Sequence, residues 1–157
     1  MKNVKTITTY SPEETIEIAA SLAKKLNKGS FVALIGDLGT GKTMFVKGLA
    51  KGLGIAEYSY VNSPSFVIVK EYKGEKDLYH FDVYRLGGQS FCDTLDYEKY
   101  FYGRGITVVE WADKVRDILP EEYLEVRIEY GDDSERKFYF KAFGEKFEEV
   151  IEELNSR

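Results

Sequence analysis

The sequence predicts an α/β fold with a mixed sheet, and three observations carry that reading. The apolar run Phe31-Val32-Ala33-Leu34-Ile35 is followed at once by a glycine-rich turn and by Phe45, Leu49 and Leu53 at helical spacing, as expected of a buried strand that feeds a helix. Two pairs of apolar and aromatic runs flank short turn-forming clusters, the signature of antiparallel hairpins. Helical patterns near both ends of the chain supply cover for such a sheet.

In chain order, Ser11-Pro12-Glu13-Glu14 starts the first helix. Ser11 is the expected cap, Pro12 takes the first helical position, where a missing N–H costs nothing, and Glu14 closes a capping box. The helix is expected to run to about residue 27, with Ile16, Ala19, Ala20, Ala23 and Leu26 on its apolar side, and to stop at Gly29. Residues 31–35 and the second helix follow. Residues 66–72 and 78–84 read as strands joined around Lys73-Gly74-Glu75, and Ile106-Thr107-Val108-Val109 as a short buried strand. Residues 124–128 and 138–141 alternate around Gly131-Asp132-Asp133-Ser134 as a second hairpin, and residues 145–154 form a closing helix. No repeat, low-complexity tract or Pro- or Ser-rich linker divides residues 1–157, so a single domain is expected.

Composition narrows the classes of function. With 43% hydrophobic and 15% aromatic residues the chain is globular in type, and a net charge of −5 argues against a surface that holds nucleic acid unaided. Any link to RNA is therefore expected to run through a partner. One cysteine, Cys92, excludes an internal disulfide and a cysteine-built zinc site and suits a reducing cytosol. No signal-peptide pattern is present and no apolar run approaches the ~18 residues of a membrane span. The expectation is a cytoplasmic protein without a membrane partner.

The octet Gly36-Asp37-Leu38-Gly39-Thr40-Gly41-Lys42-Thr43 fits G-x-x-x-x-G-K-[ST] at every fixed position, and its flanks are the strand and helix that this motif requires. The predicted fold is accordingly P-loop NTPase-like: a mixed sheet flanked by helices, with antiparallel hairpin additions. Glycine backbone brings several N–H groups close to one anion, and the new helix adds its unpaired N–H groups and the positive end of its dipole. The amides of Gly36, Gly39, Thr40 and Gly41 are thus candidates to cradle phosphate. Lys42 is placed to reach the β- and γ-phosphates, and the Thr43 hydroxyl to ligate a Mg²⁺ that bridges them. A glycine-rich turn that binds nothing is the bland alternative.

Three other segments are candidates to complete the site. Val109-Glu110-Trp111 ends a buried strand with an acid, where phosphate-loop proteins put a carboxylate for Mg²⁺ or for the attacking water; Glu110 is otherwise a surface residue. Trp111, the only tryptophan, either fills the core or lies over a base. Along residues 78–84 the period of two puts His80, Asp82 and Tyr84 on one side. An aspartate in mid-strand is costly to bury alone, so Asp82 either faces the site or pairs with a base such as Arg85. His80, the sole histidine, reads as a hydrogen-bonded structural ring. Val61-Asn62-Ser63-Pro64-Ser65-Phe66 carries hydroxyls on a proline-stiffened turn, either a segment ordered by a γ-phosphate or an ordinary loop.

GDLGTGKT, then NSPSF, YHFDVYRL and VVEWADK, in this order and at these intervals, resembles the bacterial TsaE (YjeE) family over nearly the whole chain. The resemblance implies a small P-loop ATPase that binds ATP with Mg²⁺, hydrolyses it slowly without partners, and works with the TsaD and TsaB proteins in making threonylcarbamoyladenosine in tRNA. It implies phosphate and Mg²⁺ roles for Lys42 and Thr43, the acidic Mg²⁺ position for Glu110, a switch-like role for the segment from Ser63 to Phe66, and the acid of the HFD motif for Asp82. It places the adenine side at Thr8-Thr9-Tyr10-Ser11, with Thr9 and Ser11 as contacts, and a basic nucleotide contact at Arg136. Two positions depart from the family pattern: Met44 stands where a second threonine is frequent, and Ser65 where threonine is frequent.

Phosphoryl transfer leaves the protein to position groups and stabilise charge, so Lys42 and the loop amides are expected to neutralise phosphate oxygens while Asp82 or Glu110 orients water. Other classes stay in view. A GTPase would need Asn-Lys-x-Asp, and the pair Asn27-Lys28 is followed by Gly29-Ser30. A small-molecule kinase usually has an arginine-rich lid, whereas the arginines here are scattered at positions 85, 104, 116, 127, 136 and 157. A nucleotide-gated assembly factor with little hydrolysis of its own is the remaining alternative.

Overall fold

The computed structural model describes residues 4–36, 41–62, 69–84 and 96–154. Its strands are β1 (Val4–Thr9), β2 (Phe31–Ile35), β3 (Val69–Tyr72), β4 (Leu78–Asp82), β5 (Ile106–Glu110), β6 (Tyr123–Tyr130) and β7 (Arg136–Phe143). The helices are α1 (Pro12–Lys25), α2 (Lys42–Gly52), the single turn α3 (Glu98–Phe101) and α4 (Glu145–Glu153), with 3₁₀ segments at Tyr58–Tyr60 and Ala112–Ile118.

Among the described residues the strands form one sheet in the order β1-β7-β6-β2-β5-β4-β3. The middle is parallel, β6 with β2, β2 with β5 and β5 with β4, whereas β1–β7, β7–β6 and β4–β3 are antiparallel. This is the mixed sheet that the sequence predicts. Every residue of β2 is buried, as its unbroken apolar run requires of a strand covered on both faces. On one face the core joins α1, α2 and α4 to Ile7, Val32, Leu34, Val108, Val126 and Phe138. On the other, Phe31, Ala33, Phe81 and Val109 pack with Phe101, Ala112 and Val115.

Helix α1 starts at Pro12 with Ser11 as its cap, as expected, but Glu14 reaches back to Tyr10, one residue before the cap that a capping box would bond. Ser11 Oγ accepts the Glu14 N–H at 3.1 Å, and Glu14 Oε1 accepts the Tyr10 N–H at 2.7 Å. Its buried side differs: Thr15, Ile18 and Leu22 join Ala19, Ala20 and Ala23, and Ile16 is only half-buried. The wider stripe arises because α1 packs on α2 as well as on the sheet. The seam with α2 is made by glycines, since a Cβ on Gly48 would lie 2.5 Å from both Ala19 Cβ and the Ile16 carbonyl, and one on Gly52 would lie 2.4 Å from the Ala20 carbonyl. The small side chains thus set how closely the two helices approach.

Both hairpins form, with the first observed from Val69 onward because residues 63–68 lie outside the described ones. Strand β1 was not expected. Its sequence VKTITT has a single strongly apolar core residue, Ile7, and it is held by pairing with β7 and by burial of Ile7 and Thr9. No helix among the described residues is long and apolar enough to cross a membrane.

Candidate functional site

Parallel pairing brings the carboxyl ends of β2, β5 and β4 side by side in the middle of the sheet. In the ladder Leu34 faces Glu110, and Glu110 faces Asp82. Each acid is the last residue of its strand, and both are buried, Glu110 at 2% and Asp82 at 8% exposure. Their strand-mates Leu78, Ile106 and Val108 belong to the core under α1 and α2, while Phe81 and Val109 belong to the opposite core. The period of two therefore puts His80, Asp82 and Glu110 on the face that carries α2.

The chain leaves β2 at Gly36 and enters α2 at Lys42. Gly41, immediately before the helix, has φ of 106°, a left-handed conformation that a side chain would strain. Lys42 is 6% exposed; its Nζ donates to the Gly36 carbonyl and lies 4.0 Å from the centre of the Trp111 ring. Thr43, in the first turn, is half-buried. Gly39, Thr40 and Ser63 lie outside the described residues, as do Arg85 and Cys92.

Trp111 follows Glu110 in a left-handed turn, φ 63° and ψ 36°. For a residue with a Cβ that conformation costs roughly 1–2 kcal/mol, offset here by what the indole touches. Besides Lys42 it meets the Tyr84 ring at 4.8 Å between centroids, and the Lys114 ammonium lies 6.0 Å from it. The indole is half-buried, so it lies at the rim between core and site.

The two acids have different partners. Glu110 Oε2 lies 2.5 Å from Nε2 of the fully buried His80, the ring N–H donating to the carboxylate, and the other ring nitrogen, Nδ1, has no partner among the described residues. Asp82 Oδ1 accepts the Tyr84 N–H at 2.9 Å. His80 is hydrogen-bonded, as the sequence suggested, but its partner was not foreseen: nothing in single-strand periodicity says that β4 and β5 are neighbours.

A second feature lies beside the start of α2. A pocket of about 180 Å³ is lined by Ser11, Pro12, Thr15, Gly41, Met44, Asp133, Ser134 and Arg136. It joins the first helix, the glycine turn and the late hairpin, so Ser11 and Arg136 meet Gly41 although far apart in sequence. The Arg136 guanidinium donates to the Asp133 and Glu135 carbonyls at 3.3 and 2.9 Å and stacks 4.8 Å from the Tyr130 ring. Thr9 is fully buried, its hydroxyl 2.8 Å from that of the pocket residue Thr15. Thr15, Met44, Asp133 and Ser134 were not read from the sequence as site residues, where nothing marks residues that the α1–α2 packing and the β1–β7 pairing bring together.

A glycine turn between a central parallel strand and a helix, with acids closing the neighbouring strands, defines the P-loop type of α/β fold. Residues 9–138 match the family described as "Threonylcarbamoyl adenosine biosynthesis protein TsaE". The chain belongs to that family. It is 45% identical over 148 residues to the tRNA threonylcarbamoyladenosine biosynthesis protein TsaE of Bacillus subtilis, covering 94% of this chain and 91% of the relative. The protein of the same name from Aquifex aeolicus is 39% identical over 140 residues, 87% of this chain and 96% of its own. A crystal structure of Bacillus subtilis YdiB superposes with a TM-score of 0.82 at 39% identity, covering 98% of this chain and 95% of that one.

Proposed function

We propose that this chain binds ATP with Mg²⁺, hydrolyses it slowly by itself, and supports threonylcarbamoyladenosine formation in tRNA together with TsaD and TsaB proteins in the cytoplasm. One observation carries the nucleotide reading: Lys42, whose Nζ reaches the Gly36 carbonyl just past β2 and the Trp111 ring just past β5, lies at the same end of the sheet as the buried acids Glu110 and Asp82 that close β5 and β4. Ligands of open α/β sheets bind outside the carboxyl ends of the strands, and helix N-termini favour phosphate. In this reading the Lys42 ammonium exchanges the Gly36 carbonyl for phosphate oxygens, and the pocket at Ser11 and Arg136 takes the base.

The oxygen donors fit a hard cation. Among the described residues no three His, Cys, Asp or Glu side chains gather to hold a metal by themselves. Mg²⁺ is commonly bound by one or two protein oxygens together with phosphates and water, and Thr43 and Glu110 supply such oxygens. Bound there, Mg²⁺ would neutralise charge on the phosphates. The protein's own share is to orient water from Asp82 or Glu110 and to keep the phosphates fixed. The support for the tRNA role is family membership, and a net charge of −5 favours contact with tRNA through partner proteins.

The test is calorimetry of ATP and GTP binding with Mg²⁺ to the wild-type chain and to Lys42→Ala, followed by single-turnover hydrolysis with and without the partner proteins. The expected result is ATP binding that Lys42→Ala abolishes and hydrolysis that rises when partners are added. Wild-type hydrolysis by Lys42→Ala would overturn the assignment of the loop.

A further inference from the structure

We propose that His80 is the positioning residue of Glu110, holding one carboxylate oxygen so that the group has one orientation at the end of β5. The proposal rests on the Mg²⁺-nucleotide reading above. His80 faces Val108 in the β4–β5 ladder, and Glu110 is two residues further along the same face. That diagonal separation is within reach of long side chains across a sheet. The ring Nε2–H meets Oε2 at 2.5 Å, and the two side chains are 0% and 3% exposed.

Three features argue against a role confined to packing. The pair lies next to Leu78, Ile106 and Val108, where apolar side chains would avoid the cost of desolvating a carboxylate. The ring keeps its bond to Glu110 while its buried Nδ1 has no partner among the described residues, although most buried polar side-chain atoms have at least one. Both residues stand on paired interior strands of the sheet, where a bond between side chains translates into fixed direction better than it would on a loop. A carboxylate gripped at one oxygen loses its terminal rotation. What remains is one oxygen to offer a cation or a water.

Phenylalanine conserves the bulk of the ring without the donor, and glutamine restores an N–H at similar reach. Partners that orient a metal-binding side chain typically change metal affinity by about 10- to 100-fold when removed. ATP affinity is measured by calorimetry with Mg²⁺ and with a chelator. In His80→Phe the gain in affinity brought by Mg²⁺ should shrink by about 10-fold or more, with chelated affinity unchanged, and His80→Gln should recover most of it. Because the chain has one histidine, ¹⁵N-histidine labelling gives a single ring to observe without nucleotide, and its Nε2–H resonance should move in Glu110→Gln. A His80→Phe protein with the full Mg²⁺ gain, or a ring resonance indifferent to Glu110→Gln, overturns the proposal alone. Wild-type protein that binds no ATP overturns the nucleotide reading and this proposal with it.

Discussion

Asp82 and Glu110 are direct partners in the β4–β5 ladder, each the last residue of its strand and each buried. Two like charges in that arrangement would repel unless each is held by other groups. They are held differently, Glu110 by an imidazole and Asp82 by the main-chain N–H of Tyr84. The difference suits separate tasks at one site.

Asp82→Asn keeps an oxygen to accept the Tyr84 N–H and removes the charge. Single-turnover ATP hydrolysis should fall by about 10²-fold or more, the scale of a lost general base, while the Kd for ATP with Mg²⁺ shifts by less than about 3-fold. A normal rate would reduce Asp82 to a strand terminator.

Arg136→Ala tests the proposal that the pocket at Ser11 and Arg136 takes the base of a nucleotide. ATP should bind about 10-fold more weakly, a loss of ~1.4 kcal/mol, and inorganic triphosphate should bind as before. Because Arg136 also donates to the Asp133 and Glu135 carbonyls, circular dichroism must show the hairpin intact. Equal weakening for both ligands would count against the pocket.

Gly48→Ala decides between two opposing effects. Alanine is favoured over glycine within a helix by about 0.8–1.0 kcal/mol, but the new Cβ would meet Ala19 and the Ile16 carbonyl at 2.5 Å. Overpacking against backbone costs about 1–3 kcal/mol, so the net expected in urea denaturation is destabilisation. A gain in stability would mean that α1 and α2 separate freely.

Alkaline pH should weaken the fold through three tyrosines. Burial, first among the causes, holds the phenols of Tyr72, Tyr100 and Tyr123 above the usual 10.0, and at Tyr100 a hydrogen bond to Glu71 adds to it. The unfolded chain therefore releases these protons first. Their stabilising contribution is whole below about pH 10 and declines as pH rises through the higher folded values. Urea titrations at intervals above pH 9 should show this decline, flattened in a triple Tyr→Phe variant.

The parts of the architecture that were legible rest on local chemistry. The β2–glycine turn–α2 unit, the Ser11–Glu14 cap and both hairpins are written within short stretches, where period and turn residues act without distant help. What escaped depends on neighbours in space. β1 offers one strongly apolar core residue and exists because β7 pairs with it; Ile18 and Leu22 replace Ile16 in the core because a second helix lies across α1. The acids at positions 82 and 110 were readable as strand-ending oddities. Their mutual register, and the bond from His80, required the strand order.

Trp111 stands alone of its kind in the chain and lies against the ammonium of Lys42. The near-ultraviolet glow of the entire polypeptide above tyrosine emission thus comes from one address, at the lip of the glycine turn. Whatever displaces that lysine is announced optically, with no dye attached and no background from a second indole.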